Sequence, residues 1–308
     1  MKTICLTFGG RECSLKILFK YILKYKFYID EYRIYVATTI QSDIDYMKKF
    51  ALENDFVKLV YVTNEHGEII LNDKNRIWDE AYKQCQDEDC VYLKFDDDIV
   101  YFDETLFTDF IKYRIEHEEA PLLFPTIINN SYFSWLLEQK QIYKPINKSK
   151  IGDTWPMTYN RIQPIINNNI SNPQLKIGKI TRLGEVLCPS GWGNLTYCVD
   201  LHNQFLSDLN EKNIDKYKLG QFKLYDRHPI SISCCAWLGK TLKKITEKVG
   251  NVFDDEPWLT IWMPTWLNNY NEVYGDCIVG HYAYYKQREL GLDNTDILDK
   301  YLRIEVSQ

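Results

Sequence analysis

Val91-Tyr-Leu-Lys-Phe-Asp-Asp-Asp-Ile-Val100 is the stretch on which the reading of this chain turns. Its first five residues are β-branched, aromatic and apolar with a single lysine, the composition of a buried strand. Three adjacent carboxylates follow at once. In open α/β sheets ligands bind where strands end, at their carboxyl edge. Three neighbouring acids repel one another, which is tolerable on a solvated turn or where a cation neutralises them. The apolar pair Ile99–Val100 is out of place in a purely solvated turn. Divalent Mg²⁺ and Mn²⁺ take oxygen ligands and bridge carboxylates to phosphates. With an extended backbone, Asp96 and Asp98 would share one side and Asp97 would face the other.

Outward from this stretch, the first 125 or so residues alternate short apolar runs with helical patterns, the βαβ signature of a mostly parallel sheet flanked by helices. Thr3–Phe8 reads as a strand ending in Gly9–Gly10. Ser14 is placed to cap a helix with Leu15, Leu18, Phe19, Ile22 and Leu23 on one face. Strands are expected at Arg33–Ala37 and Val57–Val62, with helices at Ser42–Asn54, Arg76–Cys85 and Glu104–Glu116. Another strand begins at Leu122–Phe124. The middle of the chain is less regular, with an Asn-rich stretch from Lys144 to Asn172 read as loops on an acceptor-side elaboration. Leu195–Leu209 reads as a helix and Ile230–Trp237 as a strand. A helix broken at Pro264 is expected over Glu256–Trp266, a short strand over Cys277–His281, and a closing helix over Thr295–Leu302. The expected organisation is one catalytic domain over 1–308, with a nucleotide-binding half (1–130) and an acceptor-binding half (131–308).

Bulk properties set limits on function. The 308 residues are 45% hydrophobic and 26% charged, with a formal net charge of −6. That balance weighs against nucleic acid as a partner, which calls for excess Lys and Arg along the phosphates. Nine scattered cysteines with no C-x-x-C pair argue against a zinc site or a disulfide framework and for reduced thiols. No stretch approaches the roughly 20 apolar residues of a membrane span, and the N-terminus lacks a secretory apolar run. The expected location is the cytoplasm or the cytoplasmic face of a membrane. The absence of Gly-x-x-x-x-Gly-Lys-Ser/Thr excludes a P-loop nucleotidase.

The chain resembles the GT-A nucleotide-diphospho-sugar transferases, and within them a microbial, viral and fungal set with an FDDDIV strand. The resemblance rests on Val91–Val100, on Leu6-Thr-Phe-Gly-Gly-Arg11 before an amphipathic helix, on Trp78, and on Ile127-Ile-Asn-Asn130. It extends to Asp200-Leu-His-Asn-Gln-Phe-Leu206, Ile230–Trp237, Asp254-Asp-Glu-Pro-Trp-Leu259 and Tyr274-Gly through His281-Tyr-Ala-Tyr-Tyr-Lys-Gln-Arg288. It covers most of the chain and is weakest over Lys140–Arg182. It implies a Rossmann-like GT-A fold with an acceptor-side insertion and a DxD motif. Asp98 would ligate the metal, Asp96 the metal or the donor ribose, and His281 would complete the metal shell, tilting the preference to Mn²⁺ over Mg²⁺. Thr7, Gly9, Arg11 and Thr38 would lie around the nucleotide, with Asp97 beside them. Arg76 could meet the diphosphate or form a surface ion pair. In inverting members an acid of the Asp254–Asp255–Glu256 segment is the general base, here Asp255; helix capping is the competing role for that segment. The implied donor is a nucleotide-sugar, UDP-sugar favoured, and the acceptor a glycan, lipid-linked sugar or protein.

Rival readings use the same carboxylates: a metal-dependent nucleotidyltransferase or phosphohydrolase, or a non-catalytic nucleotide-sugar-binding module. Among the other residues, His202 reads as structural, His66 as part of a turn, and Trp237 as core packing with sugar stacking as the alternative. His228 before Pro229 is a candidate acceptor contact.

Overall fold

The computed structural model describes residues 1–144, 188–225, 230–245, 247 and 254–304. The Asn-rich stretch beyond Lys144 and His228 lie outside the described residues.

The strands are β1 (Lys2–Gly9), β2 (Glu31–Val36), β3 (Val57–Val60), β4 (Cys90–Asp96), β5 (Ile99–Phe102), β6 (Leu123–Ile128), β7 (Gln221–Leu224), β8 (Cys234–Leu238) and β9 (Asn271–His281). The helices are α1 (Glu12–Lys24), α2 (Gln41–Leu52), α3 (Lys74–Lys83), α4 (Asp109–Glu116), α5 (Ser131–Gln139), α6 (Pro189–Gly193), α7 (Leu195–Asn210), α8 (Gly239–Lys243), α9 (Asp255–Pro257), α10 (Met263–Trp266), α11 (Tyr285–Glu289) and α12 (Ile297–Leu302). The sheet runs β3-β2-β1-β4-β8-β6-β9-β5, and β7 also pairs with β9.

The molecule is α/β, as its alternating pattern predicts, but the sheet is mixed rather than mostly parallel. The β3-β2-β1-β4 half is wholly parallel, with α1, α2 and α3 as crossovers. Past β4 the pairing changes. β8 runs antiparallel to both β4 and β6, whereas β6 and β9 are parallel. β5 and β7 run antiparallel to β9. β1, β4, β6 and β9 therefore all end at one edge.

The core follows the sequence pattern. β4 is buried along Cys90–Phe95, and α1 turns Leu15, Leu18, Phe19 and Ile22 inward. Leu23, expected on that face, is exposed. Ser14 lies inside α1 and caps nothing: the N-cap is Arg11, and the Ser14 hydroxyl turns back to the Arg11 carbonyl. The expected helix over Glu104–Glu116 divides into a 3-10 turn, Glu104–Leu106, held by the Asp103 carboxylate, and α4. The strand expected over Ile230–Trp237 pairs only from Cys234. Between α9 and α10 lies a π-helical turn, Trp258–Trp262, with helical backbone on both sides, so the helical run continues to Trp266 and its irregularity falls just before Pro264, which has no N–H to donate. β9 spans eleven residues where a five-residue strand is expected. Trp237 is fully buried between Tyr82 and Tyr92, as core packing requires. All nine cysteines are free, and all but Cys13 are buried.

Candidate functional site

The chain leaves β4 at Asp96, turns through Asp97–Asp98 and enters β5. Strand alternation therefore does not align the acids, because extended backbone stops at Asp96. The turn and β5 do that work instead. Ile99 pairs with His281 at the end of β9, and the Tyr282 N–H donates to the Asp98 carbonyl at 2.9 Å. Asp98 is thereby set against His281. Ligating atoms of Asp96, Asp98 and His281 all lie within 4.8 Å of one another.

Four cations face these acids. Arg11, at the start of α1, is ion-paired to Asp97 and stands 3.4 Å from Asp98 Oδ2. Arg288, on α11, donates to the same Oδ2 at 2.9 Å, reaches Asp293 at 2.8 Å, and stacks over the Tyr282 ring. Lys94, buried inside β4, donates to Asp96 Oδ1 at 2.5 Å and to the Ile232 carbonyl at 3.0 Å. His281 Nε2 lies 3.4 Å from Asp98 Oδ1. Burial alone would raise the Asp98 carboxyl, but Arg11, His281 and Arg288 hold it far below the ordinary carboxylate range. Burial and the neighbouring charge of Asp98 push Asp97 the other way, against the pull of Arg11. Two adjacent buried carboxylates repel each other, and the surrounding cations favour the ionised form more strongly at Asp98 than at Asp97.

The donor set fits a divalent cation on one observation. Asp98 Oδ1 is buried and has no well-aligned hydrogen-bond donor. His281 Nε2 stands 3.4 Å from that oxygen, while His281 Nδ1 lies 3.1 Å from the Asn129 carbonyl. A carbonyl only accepts, so Nδ1 carries a proton, and in a neutral ring Nε2 presents its lone pair to the Asp98 oxygen. Two lone pairs facing each other at that spacing call for a proton or a metal ion between them. Adjacent ligands around an ion at about 2.1 Å stand roughly 3.0–3.5 Å apart. Without metal, burial disfavours the imidazolium, but the Asp98 carboxylate outweighs it and raises the His281 pKa.

The Asp254–Glu256 segment is divided by role. Asp254 is exposed and caps α9, accepting from the Glu256 N–H. Asp255 is buried and accepts the Tyr82 hydroxyl at 3.0 Å. Burial pushes its carboxyl up to about 6, opposed by Lys94 and reinforced by Asp96. Glu256 is also buried.

The other expected nucleotide contacts are placed as follows. Gly9 ends β1 and Gly10 follows it. A Cβ at Gly9 would strike the Met47 sulfur, so the close approach of β1 to α2 there depends on glycine or on a shift of the Met47 side chain. A Cβ on Gly10 would lie 3.6 Å from an Asp97 carboxylate oxygen. The Thr7 hydroxyl is fully buried and accepts from Tyr32, so it faces the core. Thr38 is buried beyond β2, where its hydroxyl accepts from the Ile40 N–H. Arg76 is exposed on the first turn of α3. His202 is fully buried, with Nδ1 on the Tyr301 hydroxyl and Nε2 on the Tyr282 carbonyl, and burial lowers its pKa to about 4. His66 is exposed in a turn. A second His–acid group, His117, Glu119 and Glu272, lies at the other end of β9. There Lys223 already stands 3.0 Å from Glu272, so the group reads as an ion-pair network.

Sequence reasoning did not single out Lys94, Arg288, Asn129, Gln287 or Tyr82. Lys94 had a signal, a charge within an otherwise apolar strand. No known protein-family model matches the chain, and no curated protein matches it. Among the described residues, no helix is long and apolar enough to cross a membrane.

Proposed function

We propose that this protein is a metal-dependent glycosyltransferase of the GT-A type, transferring a sugar from a nucleoside-diphosphate sugar, UDP-sugar favoured, to an acceptor hydroxyl on a glycan, lipid-linked sugar or protein. The observation that carries the proposal is the buried Asp98 oxygen with no aligned donor, facing His281 Nε2 at the carboxyl edge of the sheet. The parallel β3-β2-β1-β4 half followed by antiparallel β8 supports the fold reading.

Asp98, His281 and Asp96 would hold the cation, with nitrogen in the set favouring Mn²⁺ over Mg²⁺. When bound, the ion supplies Lewis-acid stabilisation of the charge on a departing diphosphate. Arg11 and Arg288 place two guanidiniums beside that charge, in a chemistry suited to phosphate oxygens. Asp255 takes the proton of the acceptor hydroxyl. Tyr82 occupies its Oδ2 as donor, leaving Oδ1 to accept, and a carboxyl near pH 6 is mostly ionised at neutral pH while remaining a competent base. A single acid in that position suits inversion at the sugar carbon by direct displacement.

The test is a panel of UDP-, GDP- and TDP-sugars scored for Mn²⁺-dependent thermal stabilisation. At least one is expected to raise the unfolding temperature only when Mn²⁺ is present. Absence of stabilisation by every member would overturn the proposal.

A further inference from the structure

The histidine of the proposed cation site is aimed by residues outside the Asp96–Asp98–His281 donor set. Asn129 follows β6 in the left-handed backbone region, at a φ of 58°, which asparagine tolerates better than other side-chain-bearing residues. Its carbonyl is the group that His281 Nδ1 meets at 3.1 Å. Its side chain is locked in a reciprocal amide pair with Gln287 of α11. Asn129 Nδ2 donates to Gln287 Oε1 at 2.9 Å, and Gln287 Nε2 donates to Asn129 Oδ1 at 3.0 Å. The remaining positions are also used. Asn129 Nδ2 donates to the Tyr282 carbonyl at 2.7 Å, Gln287 Nε2 to the Gly191 carbonyl at 3.0 Å, and Gln287 Oε1 accepts the Tyr284 N–H at 2.9 Å. Both residues are fully buried. A buried polar network with every member satisfied holds one arrangement and penalises the others.

The network brackets His281. The ring is held through the Asn129 carbonyl, and the following residue, Tyr282, donates its N–H to the Asp98 carbonyl while its own carbonyl meets Asn129 Nδ2 and His202 Nε2. Because a carbonyl cannot donate, the Asn129 contact selects the tautomer that leaves Nε2 free to face Asp98. The Gln287 pair fixes where that carbonyl stands.

We propose that Asn129 and Gln287 are positioning residues that fix the tautomer and direction of His281 and thereby set the cation affinity of the site. This rests on the cation reading given above. Partners of metal-bound histidines commonly contribute about 10- to 100-fold to affinity.

The experiment titrates the full-length protein with Mn²⁺ alone, following free ion by electron paramagnetic resonance and the bound ion by the ¹⁴N modulation of its spin echo, which reports an imidazole ligand. The variants are Asn129→Gly, which keeps the left-handed backbone and the carbonyl, and Gln287→Glu, which keeps the acceptor but removes both amide donors. Each is expected to weaken Mn²⁺ binding about 10- to 100-fold and to diminish or alter the ¹⁴N modulation. Should Asn129→Gly fail to fold, Gln287→Glu carries the test. Wild-type affinity and unchanged modulation in a folded variant would overturn the proposal while leaving the cation site standing. Failure of the wild-type protein to bind Mn²⁺ would overturn both.

Discussion

Two runs of three acids, linked through the charge of Lys94, are handled in opposite ways. Around Asp96–Asp98 the fold gathers cations: Lys94, Arg11, Arg288 and His281 come from four different elements, and Asp98 is held strongly acidic. Around Asp254–Glu256 it supplies mainly burial and a tyrosine hydroxyl, and Asp255 is pushed up to about 6. Both runs offer only carboxylates. What differs is whether charge or desolvation dominates, and that separates a carboxylate suited to holding a cation from one suited to taking a proton.

The comparison can be broken most forcefully at Asp98. Asp98→Asn is expected to weaken Mn²⁺ binding by more than about 100-fold, because a ligand charge is lost. It should also cost stability, about 1–3 kcal/mol, since two guanidiniums lose a charged acceptor while each keeps a second carboxylate. Calorimetric titration and urea unfolding measure the two effects, and retention of wild-type Mn²⁺ affinity would remove Asp98 from the ligand set.

Asp255→Asn is expected to do the reverse. Transfer should fall about 10²- to 10⁴-fold, the range for loss of a general base, with Mn²⁺ affinity little changed. Stability should rise. A carboxyl whose folded-state pKa is raised from 3.8 to about 6 contributes stability below pH 4 that is lost as pH rises through 6. The neutral amide escapes that loss, so the variant should gain up to about 3 kcal/mol at pH 7.5 and nothing near pH 4. Chemical denaturation at the two pH values decides it. The acid limb of the wild-type kcat/KM profile, set by the same group near pH 6, should be absent from any residual activity of the variant.

The smallest effect belongs to Asp254. Asp254→Ala removes a cap and should cost about 0.5–1 kcal/mol, with turnover nearly unchanged. A loss of turnover matching that of Asp255→Asn would show that the proton-accepting role had been assigned to the wrong neighbour.

The parallel half of the fold was legible because each of its strands is a self-contained apolar run and each crossover helix repeats its apolar face locally. The antiparallel half was not. β5 is four residues long and follows three acids, and its partner is His281, far along the chain. Nothing local marks it as a strand. The segment before β8 is apolar and extended in pattern, yet at Ser233 it gives its carbonyl to the Asp96 N–H, and its ladder begins only at Cys234. The same distinction runs through the site. Asp96, Asp98 and His281 were nameable from motif and resemblance, and the fold brings them together. Their convergence came through a turn and a strand pairing, not through the alternation that the D-x-D spacing suggests. Arg288 lies 190 residues from Asp98, and no periodicity announces such a contact. Thr7 illustrates a different limit: a hydroxyl near a strand end has two faces available, and here it takes the core-facing one and accepts from Tyr32.

β9 hydrogen-bonds to β5, β6 and β7 along its eleven residues and ends on His281. A segment tied on so many sides opens to solvent only with large-scale unfolding, so its amides should be among the slowest to exchange with deuterium. For the imidazole this means that its backbone is already immobilised before any ion arrives. The conformational entropy of fixing that part of the chain is lost when the protein folds, so little remains to be lost on binding.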